Sequence, residues 1–309
     1  MIKTVVSIDL PVDEKLLIKK NTISSAGSTE KADGLKRISI VTGIHGDELE
    51  GQFVCFEIQR RIKEHPECLT GIVDIYPALN PLGIDSVTRS LPAFDIDMNK
   101  TFPGFNDGTM IEHLAANIMQ DLRGSDFVID IHASSIFVRE FPQIRIPFKF
   151  REKLIDKCKL MNLDLIWASQ SSSVSENTLA YALNDEGIDA VVIDMGIAMY
   201  CTKEYCNQVT DGIFALMKNL GMWSGDVVAA KEPIYAESAC IITSKTPGLF
   251  IREVKCGDKV EKGQILGRVI NPLEGTVKEV VVAPESGLLF TVREYPVVEV
   301  GSLLGRIFR

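Results

Sequence analysis

Four histidines occur among 309 residues, so each can be weighed as a catalytic or metal-binding group. His45 stands in Gly43-Ile-His-Gly-Asp-Glu48, three residues ahead of Glu48. That spacing can aim an imidazole and a carboxylate at one point where a helix begins. The flanking glycines allow the backbone to turn tightly beside a metal. His132 follows Asp130 by two residues, so on a strand both side chains share one side, and Asp130 could orient the imidazole. Two histidines and one carboxylate leave a fourth zinc position open, which is the catalytic rather than the structural arrangement. His-x-x-Glu alone is a weak signal, however, and two ordinary crevice histidines remain the competing reading of the residues by themselves. His113, with Asn117 and Gln120, falls on the polar face of a helix. His65 sits in the charged turn Lys-Glu-His-Pro-Glu. Both read as solvated.

The elements that must position these residues alternate between β and α. Arg37–Thr42 (RISIVT) is a strand candidate that ends just before the His45 loop. From Asp47 to Lys63, apolar residues at Val54, Ile58 and Ile62 and at Leu49, Phe53 and Phe56 carry helical spacing. Ile72–Tyr76 is the next strand. Thr109 with Glu112 forms a capping box, which satisfies two orphan backbone donors, and predicts a helix to Leu122 with Ile111, Leu114 and Ile118 on its buried stripe. Phe127–Ile131 is a short buried strand ending at His132. A helix ending near Gly187, a strand at Ala190–Ile193 and a helix over Lys203–Leu220 follow. Side chains at the carboxyl ends of strands in such a sheet converge on a crevice, which is where His45 and His132 would meet.

After about residue 225 valine and glycine dominate, and turn signals leave no room for a long helix. Two stretches resemble each other, one from Gly248 and one from Gly287. Within them Gly263-Gln-Ile-Leu-Gly-Arg268 matches Gly301-Ser-Leu-Leu-Gly-Arg306 at equal spacing. Two such β units face to face would make a small barrel or sandwich, as in biotinyl/lipoyl-type carriers. A carrier needs a lysine at the tip of the hairpin between its halves. That region reads Asn271-Pro-Leu-Glu-Gly-Thr-Val, with Lys278 beyond it, so a structural or oligomerisation role is expected in place of a cofactor carrier. The expected division is residues 1–225 and 226–309.

Composition narrows the function classes. Hydrophobic residues at 46% and charged residues at 24% are ordinary for a soluble globular protein. A net charge of −9 argues against a nucleic-acid partner. No apolar run is long enough for a membrane span. Seven cysteines at scattered spacings, with no export signal in the first residues, predict reduced thiols and a cytoplasmic location.

The motifs taken in order resemble the succinylglutamate desuccinylase/aspartoacylase family, which is related to the zinc carboxypeptidases. The resemblance rests on Gly43-Ile-His-Gly-Asp-Glu48, Asn80-Pro81, Arg89, Asp97-Met-Asn-Lys-Thr-Phe-Pro-Gly104 and Asp130-Ile-His132, over roughly residues 35 to 220. It implies an α/β fold, a mixed sheet with helices on both faces, followed by the small all-β unit. It also implies one Zn2+ per chain on His45, Glu48 and His132, and amide hydrolysis of a small N-acyl amino acid or related acidic or amide substrate. Arg89 matches the arginine that polarises the scissile carbonyl, and Asn99 matches the asparagine that helps hold a substrate carboxylate. Two departures stand out. Lys100 replaces an arginine and loses its planar fork. Asp194, in Val192-Ile-Asp-Met-Gly196, stands where the family has its glutamate base and is one methylene shorter. A misplacement of about 1 Å there can cost on the order of 100-fold in rate. Peptide trimming by a zinc carboxypeptidase, and a zinc-binding pseudoenzyme with a ligand-binding or regulatory role, are the alternatives. Arg139 and Arg145 are possible further anchors, with a solvated basic loop as the favoured reading. Self-association into a homo-oligomer is plausible.

Overall fold

Strand and helix periodicities alternate in the order the pattern predicts, beginning with a hairpin the pattern does not reveal. The computed structural model describes residues 1–25, 34–92, 94–169, 176–229 and 231–309. In chain order it contains β1 (Ile2–Asp9), β2 (Lys15–Ser24), β3 (Arg37–Thr42), α1 (Glu50–Glu64), β4 (Ile72–Tyr76), α2 (Pro81–Ser86), α3 (Met110–Leu122), β5 (Phe127–Ala133), β6 (Val138–Pro147), α4 (Arg151–Lys159), β7 (Leu165–Ser169), α5 (Leu179–Asp185), β8 (Asp189–Gly196) and α6 (Lys203–Asn219). The β-rich remainder contains β9 (Ile234–Ala236), β10 (Cys240–Thr243), β11 (Gly248–Arg252), β12 (Lys259–Val260), β13 (Ile265–Asn271), β14 (Thr276–Val282), β15 (Gly287–Arg293), β16 (Val297–Val298) and β17 (Leu303–Phe308).

The main sheet runs β1-β2-β4-β3-β5-β8-β6-β15-β17-β10, with β7 and β12 branching from β6 and β15 and β9 beyond β7. Its centre, β4-β3-β5-β8, is parallel. Alternation along these strands feeds two cores. Ile38, Ile40, Ile129 and Ile193 pack under α1, α4 and α6. Val41, Val128 and Ala190 pack under α3 and α5. Burial on both faces explains the unbroken apolar runs of the central strands. The Thr109–Glu112 capping box forms as the pattern predicts, and α3 buries Ile111, Leu114, Ile118 and Leu122. No helix among the described residues is long and apolar enough to cross a membrane.

The terminal segment packs two sheets against each other through a core that includes Phe250, Val269, Leu289 and Ile307. The smaller sheet is β14-β13-β11-β16. The other continues the main sheet, because β15 pairs antiparallel with β6 through Thr291 and Glu140, Val292 and Arg139, and Arg293 and Val138. The two repeats exchange short strands: β12 of the first pairs β15, and β16 of the second pairs β11. Lys278 lies on β14 and donates to the Pro247 carbonyl at 2.8 Å, away from the hairpin tip.

Candidate active site

The His45 loop is held by backbone contacts that its glycines permit. Gly43 turns at φ +68, where an L side chain would be strained, and its carbonyl accepts the Asn80 backbone N–H at 2.7 Å. A Cβ on Gly46 would lie 2.0 Å from the Gly83 carbonyl carbon, so the loop can rest on α2 only with glycine there. Asn80 caps α2 by accepting the Gly83 N–H at 2.8 Å. Gly46 N donates to the Arg89 carbonyl at 3.3 Å, which ties the His45 loop to the segment carrying Arg89.

His132 belongs to β5 itself, which runs two residues past the predicted end to Ala133, and its imidazole projects from the strand. His45, Glu48 and His132 are all buried, and one ligand atom from each lies within 4.8 Å of the others. Nδ1 of His45 is 2.7 Å from Glu48 Oε1, and Nδ1 of His132 is 2.9 Å from Oε2. The two Nδ1 atoms are 3.2 Å apart. Each Nε2 faces a carboxylate: Asp97 Oδ1 lies 3.0 Å from His45, and Asp130 Oδ2 lies 3.1 Å from His132. With each Nε2 donating to its outer carboxylate, both rings turn an Nδ1 lone pair toward Glu48 and toward each other, which is repulsive unless positive charge lies between them. A cation between them relieves that repulsion, and the imidazole–carboxylate donor set with outer carboxylates behind it suits a divalent metal such as zinc.

The electrostatics point the same way. Burial alone would depress both imidazole pKa values. Glu48 and Asp97 reverse this for His45, and Asp130 and Glu48 reverse it more strongly for His132. Burial would likewise raise Glu48, yet the two imidazoles hold it well below the usual carboxylate range. Asp97 also resists its burial and is held down to about 2 by the hydrogen bond and charge of His45, with Arg89 adding to them. The pocket concentrates negative charge around a point where positive charge is stabilised.

The other expected residues line the same cavity, which has a volume of about 500 Å3. Arg89 donates to Glu48 Oε1 at 2.8 Å. Asn99 uses its Oδ1 to accept the Leu179 N–H at 3.0 Å, which leaves its Nδ2 inside the cavity, 3.5 Å from Nε2 of His132. Lys100 stands more exposed at the rim, 3.8 Å from Asp97 Oδ2. Asp194 is the Cα partner of His132 across the parallel β5–β8 pair, so both side chains rise from the same side of neighbouring strands. Burial pushes its carboxyl well above the usual range; Arg145 opposes this, and Glu140 and Glu48 reinforce it.

Residues 34–220 match the succinylglutamate desuccinylase/aspartoacylase catalytic domain. The chain belongs to this family. Membership makes it one of the amide-hydrolysing deacylases. The N-alpha-acetyl-L-2,4-diaminobutyric acid deacetylase of Halomonas elongata is 26% identical over 268 residues, covering 82% of this chain and 76% of its own. The product-bound ectoine utilization protein EutE (DoeB) of Ruegeria pomeroyi superposes with a TM-score of 0.80 over 99% of this chain and 94% of its own, at 21% identity. A succinylglutamate desuccinylase/aspartoacylase of Rhodobacter sphaeroides gives 0.79 over 96% and 90%, at 20% identity. These structural likenesses establish the family's fold for the whole length described.

Several residues around the cavity are not evident from the family's motifs. Arg139 and Arg145 stand on β6 and not on a solvated loop. Arg139 bonds Glu294 at 3.0 Å and Thr202 at 2.9 Å, whereas Arg145 pairs with Asp194 at 2.8 Å and with Glu140. Arg145, Glu140 and Arg306, the last from β17, line the cavity, whereas Arg139 does not. The one sequence signal for Arg306 is its place in the repeat, which carries no chemistry. Asp97 lies in a quoted motif, but its bond to His45 is visible only in three dimensions.

Proposed function

We propose that this protein is a zinc-dependent deacylase that hydrolyses the amide bond of a small N-acyl amino acid or related amide. The observation that carries the reading is the convergence of His45, Glu48 and His132 on one point, with Arg89 and Asp194 in the same cavity. Those three residues would hold one zinc ion, which supplies Lewis acidity and makes water a usable nucleophile at neutral pH. Asp194 takes a proton from the attacking water and passes it to the leaving nitrogen as the C–N bond breaks and the C–O bond forms. Its raised pKa suits a group that must accept and then donate. Arg89, beside Glu48, faces the developing charge on the carbonyl oxygen. Asn99 and Lys100 anchor an acidic group of the substrate at the rim.

The substrate of the Halomonas elongata relative, an N-acetylated diamino acid, belongs to this class. In this reading residues 1–225 form the hydrolase unit and 226–309 a β-rich unit that lends Arg306 to the cavity. The direct test is release of free amine from N-acetyl-L-2,4-diaminobutyrate and a panel of other N-acyl amino acids by zinc-loaded protein, with short peptides beside them. Turnover of the N-acyl amino acids is expected. Activity confined to peptides extended on the N-terminal side would replace the deacylase reading with a carboxypeptidase.

The pairing of Arg145 with Asp194 favours a second reading, a metal-binding pseudoenzyme with a ligand-binding or regulatory role. It predicts an inert wild type across the panel and gain of activity in Asp194→Glu.

A further inference from the structure

We infer that Arg306, supplied by the terminal β-rich segment, is a positioning residue for the Asp194 carboxylate, acting through Glu140 and Arg145. This rests on the reading of Asp194 as the acid–base group. Four side chains form an alternating row of charge: Arg306, Glu140, Arg145 and Asp194. Glu140 is only 2% exposed, and both its oxygens are engaged. Oε1 accepts Arg306 at 2.6 Å and the Thr291 hydroxyl at 3.2 Å. Oε2 accepts Gln143 at 3.1 Å and Arg145. Arg145 spends its other terminal nitrogen on Asp194 Oδ2 at 2.8 Å. Two of these partners, Thr291 and Arg306, come from β15 and β17, and the β6–β15 pairing fixes their register against Glu140.

Both guanidinium groups also lie over one indole. Trp167 has the Arg145 carbon 5.0 Å and the Arg306 carbon 5.7 Å from its ring centre. Phe290 and Phe308 meet its ring edge-to-face at 5.8 and 5.9 Å, which closes the seam between the two parts of the chain. The repeat supplies an internal reference. Arg268 occupies the position in the first repeat that Arg306 holds in the second, yet it pairs with the half-exposed Glu253. One repeat thus keeps its arginine on a local surface pair and the other commits it to the cavity.

The geometry gives Arg306 a definite task. With Arg306 in place, Glu140 is shared between two cations and Arg145 is free to hold Asp194. Without it Glu140 keeps one cation, and Arg145 is drawn from Asp194 toward it. For a carboxylate one methylene short, a displacement of about 1 Å can cost on the order of 100-fold in rate.

The test uses zinc-loaded full-length protein, with N-acetyl-L-2,4-diaminobutyrate as the probe. Arg306→Met is expected to lower kcat by about 10- to 100-fold, to leave KM within about threefold and zinc content unchanged, and, in a Trp223→Phe background that leaves Trp167 as the only tryptophan, to alter the fluorescence. Arg306→Lys, which keeps the charge, should recover part of the loss. Arg268→Met makes the same chemical change on the other repeat and should leave kcat intact. In an Asp194→Asn background, Arg306→Met should produce no further fall. An equal fall in that background, or parallel loss in Arg268→Met, would show a merely structural role and overturn the inference. Should Arg306→Met fail to fold, Glu140→Gln and Arg306→Lys carry the same comparison, and wild-type kcat in both would overturn it. If Asp194→Asn itself keeps full activity, the acid–base reading has failed. If Asp194→Asn is inactive while Arg306→Met is normal, only the positioning role has failed.

Discussion

At one end of the cavity His45, Glu48 and His132 turn their donor atoms toward a shared point, with Asp97 and Asp130 behind the imidazoles. At the other end Glu140 faces Arg145 and Arg306, and the three groups pair with one another within the protein. The first end gathers negative charge and lone pairs that call for a cation from outside. The second brings its own cations, two guanidinium groups over Trp167. Asp194 lies between them, adjacent to His132 across the sheet and paired to Arg145. The difference separates two kinds of preorganisation: one end leaves a place that a cation could fill, the other supplies its own cations.

The largest expected effect comes from the group that joins the ends. Asp194→Asn should lower kcat by about 100- to 10,000-fold while zinc content stays that of the wild type, as read by steady-state kinetics and elemental analysis. Loss of zinc in that variant would mean that the two ends are not separable. Next in size is Glu140→Leu, which strands two partly buried guanidinium groups. Unfolding free energy by denaturant titration should fall by about 3–5 kcal/mol, and by the same amount in chelated and zinc-loaded protein. A metal-dependent value would couple the ends and break the contrast.

Smaller effects sharpen it. Lys100→Ala should raise KM about tenfold, equivalent to about 1.4 kcal/mol, with kcat unchanged, because Lys100 stands at the rim and in the proposed function holds a substrate charge. A fall in kcat alone would move Lys100 into the chemistry. Away from both ends, Thr109→Ala removes the cap of α3 and should cost about 1 kcal/mol of stability. Its kinetics should stay those of the wild type; altered kinetics would show that the cavity responds to distant loosening.

The same contrast explains what could be read from the chain itself. His45 and Glu48 lie three residues apart between glycines, so their approach is a local property. The capping box at Thr109 and the buried stripe of α3 are local too, as is the apolar run of β3. The β5 strand is also visible, although it extends through His132 because pairing with β8 continues to Ala133. By contrast, Glu140 and Arg306 meet across 166 residues, through a strand pairing that no short pattern encodes. A solvated loop is the natural reading of Arg145 in the sequence, since an arginine spaced among apolar residues looks the same on an exposed strand as on one that turns its charge into a cavity. The β1–β2 hairpin likewise emerges from pairing with β4 and leaves a weaker mark in the sequence.

The central claim is that His45, Glu48 and His132 form a zinc centre. Elemental analysis of protein purified without chelators, beside His45→Ala and His132→Ala, tests it most directly. The wild type should carry about one zinc per chain and each variant far less, with its fold retained by circular dichroism. A wild type with little zinc, or variants that keep the wild-type content, would contradict it.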